Sequence, residues 1–184
     1  MRTFVAVDLP DRLGESVAAV QDRLRPAAGL TVTDPGNAHV TLKFLGEVDP
    51  DRLGRVEDAV GTAVAEAGVD PFQAAVGGLG VFPDLNYVRV VWAGFRAGRG
   101  DLTRLHESIE RETTALGFDQ ESHEFTPHVT LARMNDARGK ERVTRAVRED
   151  DPDVGTFPVE EVRLKESRLA EDGPHYSTVA RFPL

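Results

Sequence analysis

Cysteine is absent from the 184 residues of this chain. That excludes disulfide frameworks, zinc ribbons, iron–sulfur clusters and thiol nucleophiles together, and it accords with a reducing compartment. No stretch approaches the roughly 18 uninterrupted apolar residues of a membrane span, so no membrane association is expected. Asp8 and Pro10 interrupt any apolar leader near the start, so a secretory signal is not expected and a cytoplasmic location is. Lysine is scarce, occurring only as Lys43, Lys140 and Lys165, and isoleucine occurs once, as Ile109. Acid outweighs base, 31 Asp and Glu against 22 Lys and Arg, for a net charge of −9. The composition resembles that of a salt-adapted protein. It also argues against a long nucleic-acid footprint, because such a surface repels a polyanion as a whole.

What is present alternates between strand and helix signals. Thr3–Leu9 reads as a strand, and Leu13, Val17, Val20 and Leu24 fall at helical spacing after it. Residues 38–45 read as a strand. Asp49-Pro50 opens a helix carrying Leu53, Val56, Val60 and Val64, which Gly68 ends. Residues 72–82 and 87–93 form a hairpin around Pro83-Asp84-Leu85-Asn86. A third helix carries Leu102, Leu105, Ile109 and Leu116, a strand spans 123–132, and a charged helix spans 136–149. Strands at 157–167 and 176–182 close the chain. No linker or low-complexity tract divides it. The pattern is α+β, with antiparallel strand pairs and helices packed outside.

One tetrapeptide occurs twice. His39-Val40-Thr41-Leu42 returns as His128-Val129-Thr130-Leu131, close to half the chain length later. The duplication predicts a single domain, 1–184, of two similar lobes in a bilobal pseudo-two-fold arrangement, two antiparallel sheets facing a central cleft, with one H-x-T motif each. On a strand, side chains alternate. Val40, Leu42, Val129 and Leu131 therefore anchor the lobes, while His39, Thr41, His128 and Thr130 face the cleft. Two imidazoles and two hydroxyls suit phosphoryl chemistry without a metal. One histidine can act as base and the other as acid near neutral pH, and threonine hydroxyls can donate to nonbridging oxygens. Alternation also puts Lys43 on the His39 face as a phosphate ligand. Arg133 has the opposite parity and reaches the cleft only where the strand ends or bulges.

The residues carry a resemblance. RTFVAVDLP at the start, HVTLKFLGEV at 39–48, GGLGVFP at 77–83, FTPHVTLAR at 125–133, EVRLKESRL at 161–169 and GPHYSTVARFPL at the end resemble the 2H phosphoesterase superfamily. Within it the nearest likeness is to the RNA 2′,3′-cyclic phosphodiesterases, also called 2′-5′ RNA ligases. The resemblance implies no metal and no cofactor. It implies His39 as proton donor to the leaving ribose oxygen and His128 as proton acceptor from water. The substrate implied is an RNA 3′ end bearing a 2′,3′-cyclic phosphate, or a related small cyclic nucleotide, opened to a 2′-phosphate. Reversal with an RNA 5′-hydroxyl would form a 2′-5′ linkage. Other cyclic or 2′-5′ phosphodiesters, such as ADP-ribose cyclic phosphate or a 2′-5′ oligonucleotide, and a non-catalytic RNA-end binding module, remain alternatives.

Competing motifs fail. His123-Glu124-Phe125-Thr126-Pro127-His128 has one residue too many for H-E-x-x-H, and Pro127 breaks the helix that motif needs. Gly77-Gly78-Leu79-Gly80 does not complete a dinucleotide fingerprint, and there is no P-loop. His106 is expected on a helix surface, His123 on an edge strand and His175 in a turn. Phe82, at a strand end, is a candidate base-stacking residue; Phe44 and Trp92 are expected in the core. Nothing marks a dimer interface or a protein partner, so a monomer is expected.

Overall fold

The computed structural model describes all 184 residues. Strand β1 (Arg2–Asp8) leads through a 3₁₀ turn into helix α1 (Gly14–Leu24), which buries Val17, Val20 and Leu24 with the polar Gln21. A short strand β2 (Leu30–Val32) precedes β3 (His39–Glu47). Helix α2 (Leu53–Ala67) stops at Gly68, whose φ of 62° is the left-handed conformation glycine adopts without strain. The hairpin β4 (Phe72–Asp84) and β5 (Tyr87–Ala97) leads to α3 (Arg99–Ala115). Then come β6 (Val129–Met134), α4 (Lys140–Glu149), β7 (Asp153–Val159), β8 (Glu161–Ala170) and β9 (Gly173–Pro183). No helix is long and apolar enough to cross a membrane.

The strands run in the order β7-β4-β5-β6-β3-β1-β8-β9, all pairs antiparallel, with β2 added to β6. The order divides at its centre. β6 and β3 touch through one residue pair, Val40 opposite Val129, the second residues of the two H-x-T motifs. Each half has four strands in matching positions, so the pseudo-dyad passes through that pair. Helices α2 and α3 pack together behind the β3-β1-β8-β9 half, and α1 and α4 behind the other. The core lies between helices and sheet, where Val5, Val40, Leu42, Leu105, Ile109, Val129 and Leu131 are closed to solvent. Burying each such side chain is worth about 1.5–3 kcal/mol.

Two expectations about elements need correction, and one strand, β2, was not expected at all. The strand expected from residue 123 begins only at Val129, because Pro127 has no N–H for a ladder. The strand expected over 157–167 is two strands broken at Glu160, where the chain leaves β4 for β1 and so changes halves. Strand β2 is too short to show an alternation.

Both motif strands carry a β-bulge at the same place. Val5 pairs with Lys43 and Ala6 with Thr41, leaving Leu42 unpaired. Trp92 pairs with Thr130 and Val91 with Ala132, leaving Leu131 unpaired. An extra residue reverses the side-chain alternation beyond it.

Candidate active site

His39 and His128 are held by one device used twice. His39 Nδ1–H donates to the carbonyl of Asn37 at 2.7 Å, and His128 Nδ1–H donates to that of Thr126 at 2.7 Å. In each case the acceptor lies two residues back, in the segment that leads into the strand. This fixes the proton of the neutral ring on Nδ1 and leaves Nε2 for chemistry. His39 Nε2 lies 3.1 Å from Thr41 Oγ1. His39, Thr41, His128 and Thr130 are all partly open on the face away from the helices.

Burial pushes the pKa of both histidines down. For His39 burial dominates, the Asn37 carbonyl and the Asp8 carboxylate oppose it, and Lys165 and His128 add to it. For His128 burial again dominates, opposed by the Thr126 carbonyl and reinforced by the Arg133 charge. The charge of His128 bears on His39, and the Val40–Val129 pair sets the two imidazoles beside one another at one site.

The bulges decide what else faces that site. Beyond Leu131, Ala132 turns into the core and Arg133 turns out, exposed on the His128 face. Its charge bears on His128 and on the Tyr176 phenol. Beyond Leu42 the same reversal sends Lys43 inward and Phe44 outward. The expectation for Lys43 is therefore wrong. Its side chain is 2% exposed and its ammonium lies 2.9 Å from Glu110 Oε2 and 2.6 Å from the Asp119 carbonyl. It is a core ion pair, not a phosphate ligand. Phe44, expected in the core, is 45% exposed beneath the guanidinium of Arg2.

Phe82 stands edge-on to the His128 ring at 4.8 Å. Trp92 is half-buried rather than a core residue. Its ring lies 5.9 Å from that of His128 and 5.1 Å from that of Phe82. Phe4 and Tyr176 flank His39 at 5.1 and 5.3 Å. His106 is buried rather than on the surface, His123 is exposed outside any strand, and His175, expected in a turn, lies in β9 opposite Arg168, exposed and bonded to Asp172.

Sequence reasoning missed an ionic cluster beside His39. Asp8, opposite His39 in the β1–β3 register, accepts from Lys165 at 2.7 Å and Arg163 at 2.8 Å. The alternation of Arg163 and Lys165 along β8 was the available signal. Two cavities flank the histidines. One of about 470 Å³ runs past Thr41, Phe44, Phe82 and His128, and one of about 450 Å³ past Asp8, Asn37, Arg163 and Lys165. No group of three or more His, Cys, Asp or Glu side chains is placed to hold a metal ion.

Residues 9–170 match the family described as the 2′-5′ RNA ligase superfamily. The chain belongs to that superfamily. Relatives of this 2H phosphoesterase are similar over most or all of the chain. A Methanothermobacter thermautotrophicus protein named RNA 2′,3′-cyclic phosphodiesterase is 36% identical, with 100% of this chain and 99% of that protein covered. An Aeropyrum pernix protein of the same name is 41% identical over 81% of this chain and 82% of its own. Among solved structures, a Thermus thermophilus protein superposes with a TM-score of 0.79 at 31% identity, covering 100% of this chain and 98% of that one. E. coli LigT in complex with 3′-AMP superposes with a TM-score of 0.81 at 26% identity, covering 100% and 97%. The α+β architecture of this chain, two facing halves of antiparallel sheet with helices outside, is that of these neighbours.

Proposed function

We propose that this protein is a metal-independent RNA 2′,3′-cyclic phosphodiesterase that opens the cyclic phosphate to a terminal 2′-phosphate. The observation that carries the reading is the pair of histidines with Nδ1 parked on a carbonyl and Nε2 turned to the site, where that of His39 meets only Thr41 Oγ1, brought together by the Val40–Val129 pair. The names of the relatives support the substrate class.

In the proposed reaction His128 Nε2 takes a proton from water as its oxygen bonds to phosphorus. The bond from phosphorus to the ribose 3′ oxygen breaks in line, and His39 Nε2–H protonates that oxygen. Asp8 beside His39 favours the imidazolium against the opposing charges of Lys165 and His128, and Arg133 beside His128 favours the free base. Thr41 and Thr130 donate to the nonbridging oxygens, Arg133 supplies positive charge and Phe82 packs against the nucleoside. With an RNA 5′-hydroxyl in place of the attacking water, His128 takes the hydroxyl proton, the 5′ oxygen bonds to phosphorus, and the same loss of the 3′ oxygen, protonated by His39, leaves a 2′-5′ linkage. The chain acts as one domain of two lobes, as a cytoplasmic monomer.

The test is turnover of cyclic phosphate-ended RNA with product regiochemistry read by phosphorus NMR. His39→Ala or His128→Ala should cost roughly 10²- to 10⁴-fold in kcat. Thr41→Ala and Thr130→Ala should each cost about 10- to 1000-fold. EDTA should leave turnover intact. Wild-type rates in both histidine variants would sink the proposal.

A further inference from the structure

The two bulges are each held from behind by one buried polar side chain. On α3, His106 Nδ1–H donates to the Leu42 carbonyl at 2.7 Å, and its ring stacks on Phe125 at 4.1 Å. On α1, Gln21 Nε2 donates to the Leu131 carbonyl at 3.0 Å and to the Thr33 carbonyl at 2.8 Å. Gln21 is fully buried and His106 is 8% exposed. The acceptor is in both cases the unpaired residue of the bulge, the point at which strand alternation reverses. A buried polar side chain aimed at one carbonyl is costly unless that bond is made, so its presence at both equivalent points is a specific arrangement.

The two locks differ. The Leu131 carbonyl also accepts from the backbone N–H of Thr33, in line with β2. No strand flanks β3 beside Leu42, and His106 takes the place of one there. One turn further along α3, Glu110 binds the ammonium of Lys43, the residue that the reversal turns inward. α3 therefore grips two consecutive residues of the bulge.

We infer that His106 and Gln21 are positioning residues that lock the two bulges and so select the side chain each catalytic strand presents beyond its H-x-T motif: Phe44 on one, Arg133 on the other. The same backbone device carries an aromatic ring on one side of the phosphate and a guanidinium on the other. The catalytic consequence rests on the cyclic phosphodiesterase reading; the lock itself does not.

Gln21→Met and His106→Leu keep the bulk and remove the donor. His106→Asn restores an N–H at the position of Nδ1. Thermal melting checks that each variant is folded. On a nucleoside 2′,3′-cyclic phosphate, Gln21→Met should raise KM about tenfold or more, as misplacement of a substrate-binding group does. In an Arg133→Ala background the same change should alter KM by less than about twofold, because the group it acts through is gone. His106→Leu should couple to Phe44→Ala in the same way, and His106→Asn should recover most of the loss. Effects that multiply independently, or no effect in the single variants, would overturn the inference and leave the assigned function standing. A crystal structure of Gln21→Met gives a second readout. Loss of the Leu131 bulge with withdrawal of Arg133 is expected; an unchanged bulge refutes the lock even if the protein turns over no cyclic phosphate at all.

Discussion

An imidazolium leaves water at a cost, and His39 and His128 both bear it. With both pKa values lowered by burial, the bell-shaped profile of kcat/KM should centre below the ordinary histidine value of about 6.5. In the proposed reaction the acid limb belongs to His128, which must be free to accept. The alkaline limb belongs to His39, which must carry a proton. Asp8→Asn removes the carboxylate that favours protonated His39 and leaves Lys165 uncompensated. The alkaline limb should then move to lower pH while the acid limb stays. A profile unchanged by Asp8→Asn would refute that assignment. Lys43 gives the opposite kind of prediction. Lys43→Met strands the mostly buried carboxylate of Glu110 and should lower stability by about 3 kcal/mol, seen by urea denaturation, with little change in KM.

At the scale of elements, what was legible was whatever repeats locally. The duplicated H-x-T motif follows a proline-bearing segment in both copies, and its alternation puts His39, Thr41, His128 and Thr130 on one face without knowledge of the partner strands. The bulges were not legible by that route, because an unpaired residue exists only relative to the strand it fails to pair with. Leu131-Ala132, two consecutive core residues, broke the alternation and was a usable hint. Leu42-Lys43 concealed the same break, since a lysine reads as exposed until its buried partner Glu110 is known. The hairpin β4–β5 supplies a test of how the elements hold the site. A Cβ on Gly80 would collide with the indole of Trp92, the chain's one tryptophan. Gly80→Ala should cost about 1–3 kcal/mol by overpacking. It should shift the tryptophan emission and weaken turnover, because the displaced ring neighbours His128 and Phe82. An unshifted emission spectrum would show that the indole has room to yield.

Over the whole molecule the net charge of −9 and the cleft cations coexist. Arg133 is the one cation that the bulge turns to His128, and Arg163 and Lys165 are largely neutralised by Asp8 and Glu161. RNA binding should therefore fall with salt with a slope of roughly one to three phosphate contacts, and a slope of six or more would reveal a footprint elsewhere. Folding stability should also depend on pH. A histidine whose pKa is lowered by folding contributes stability above its unfolded pKa and loses it as pH falls towards the folded value. Melting temperature should drop as pH is lowered from about 7 through the ordinary histidine value of about 6.5, and His39→Asn with His128→Asn should flatten that part of the curve.

The exchange of helices has a consequence for how the protein comes apart. α1 leaves β1 in one half and packs on β6 and β7 of the other; α3 leaves β5 in that second half and packs on β3 of the first. Each half is thus covered by a helix tethered to its neighbour. Two sheets joined by a single residue pair would by themselves melt separately. Here neither can open without stripping a helix from the other, so calorimetry should record one transition, with equal calorimetric and van't Hoff enthalpies. The proposed acid and base should then be gained and lost together, with no partly unfolded form that keeps one histidine in place.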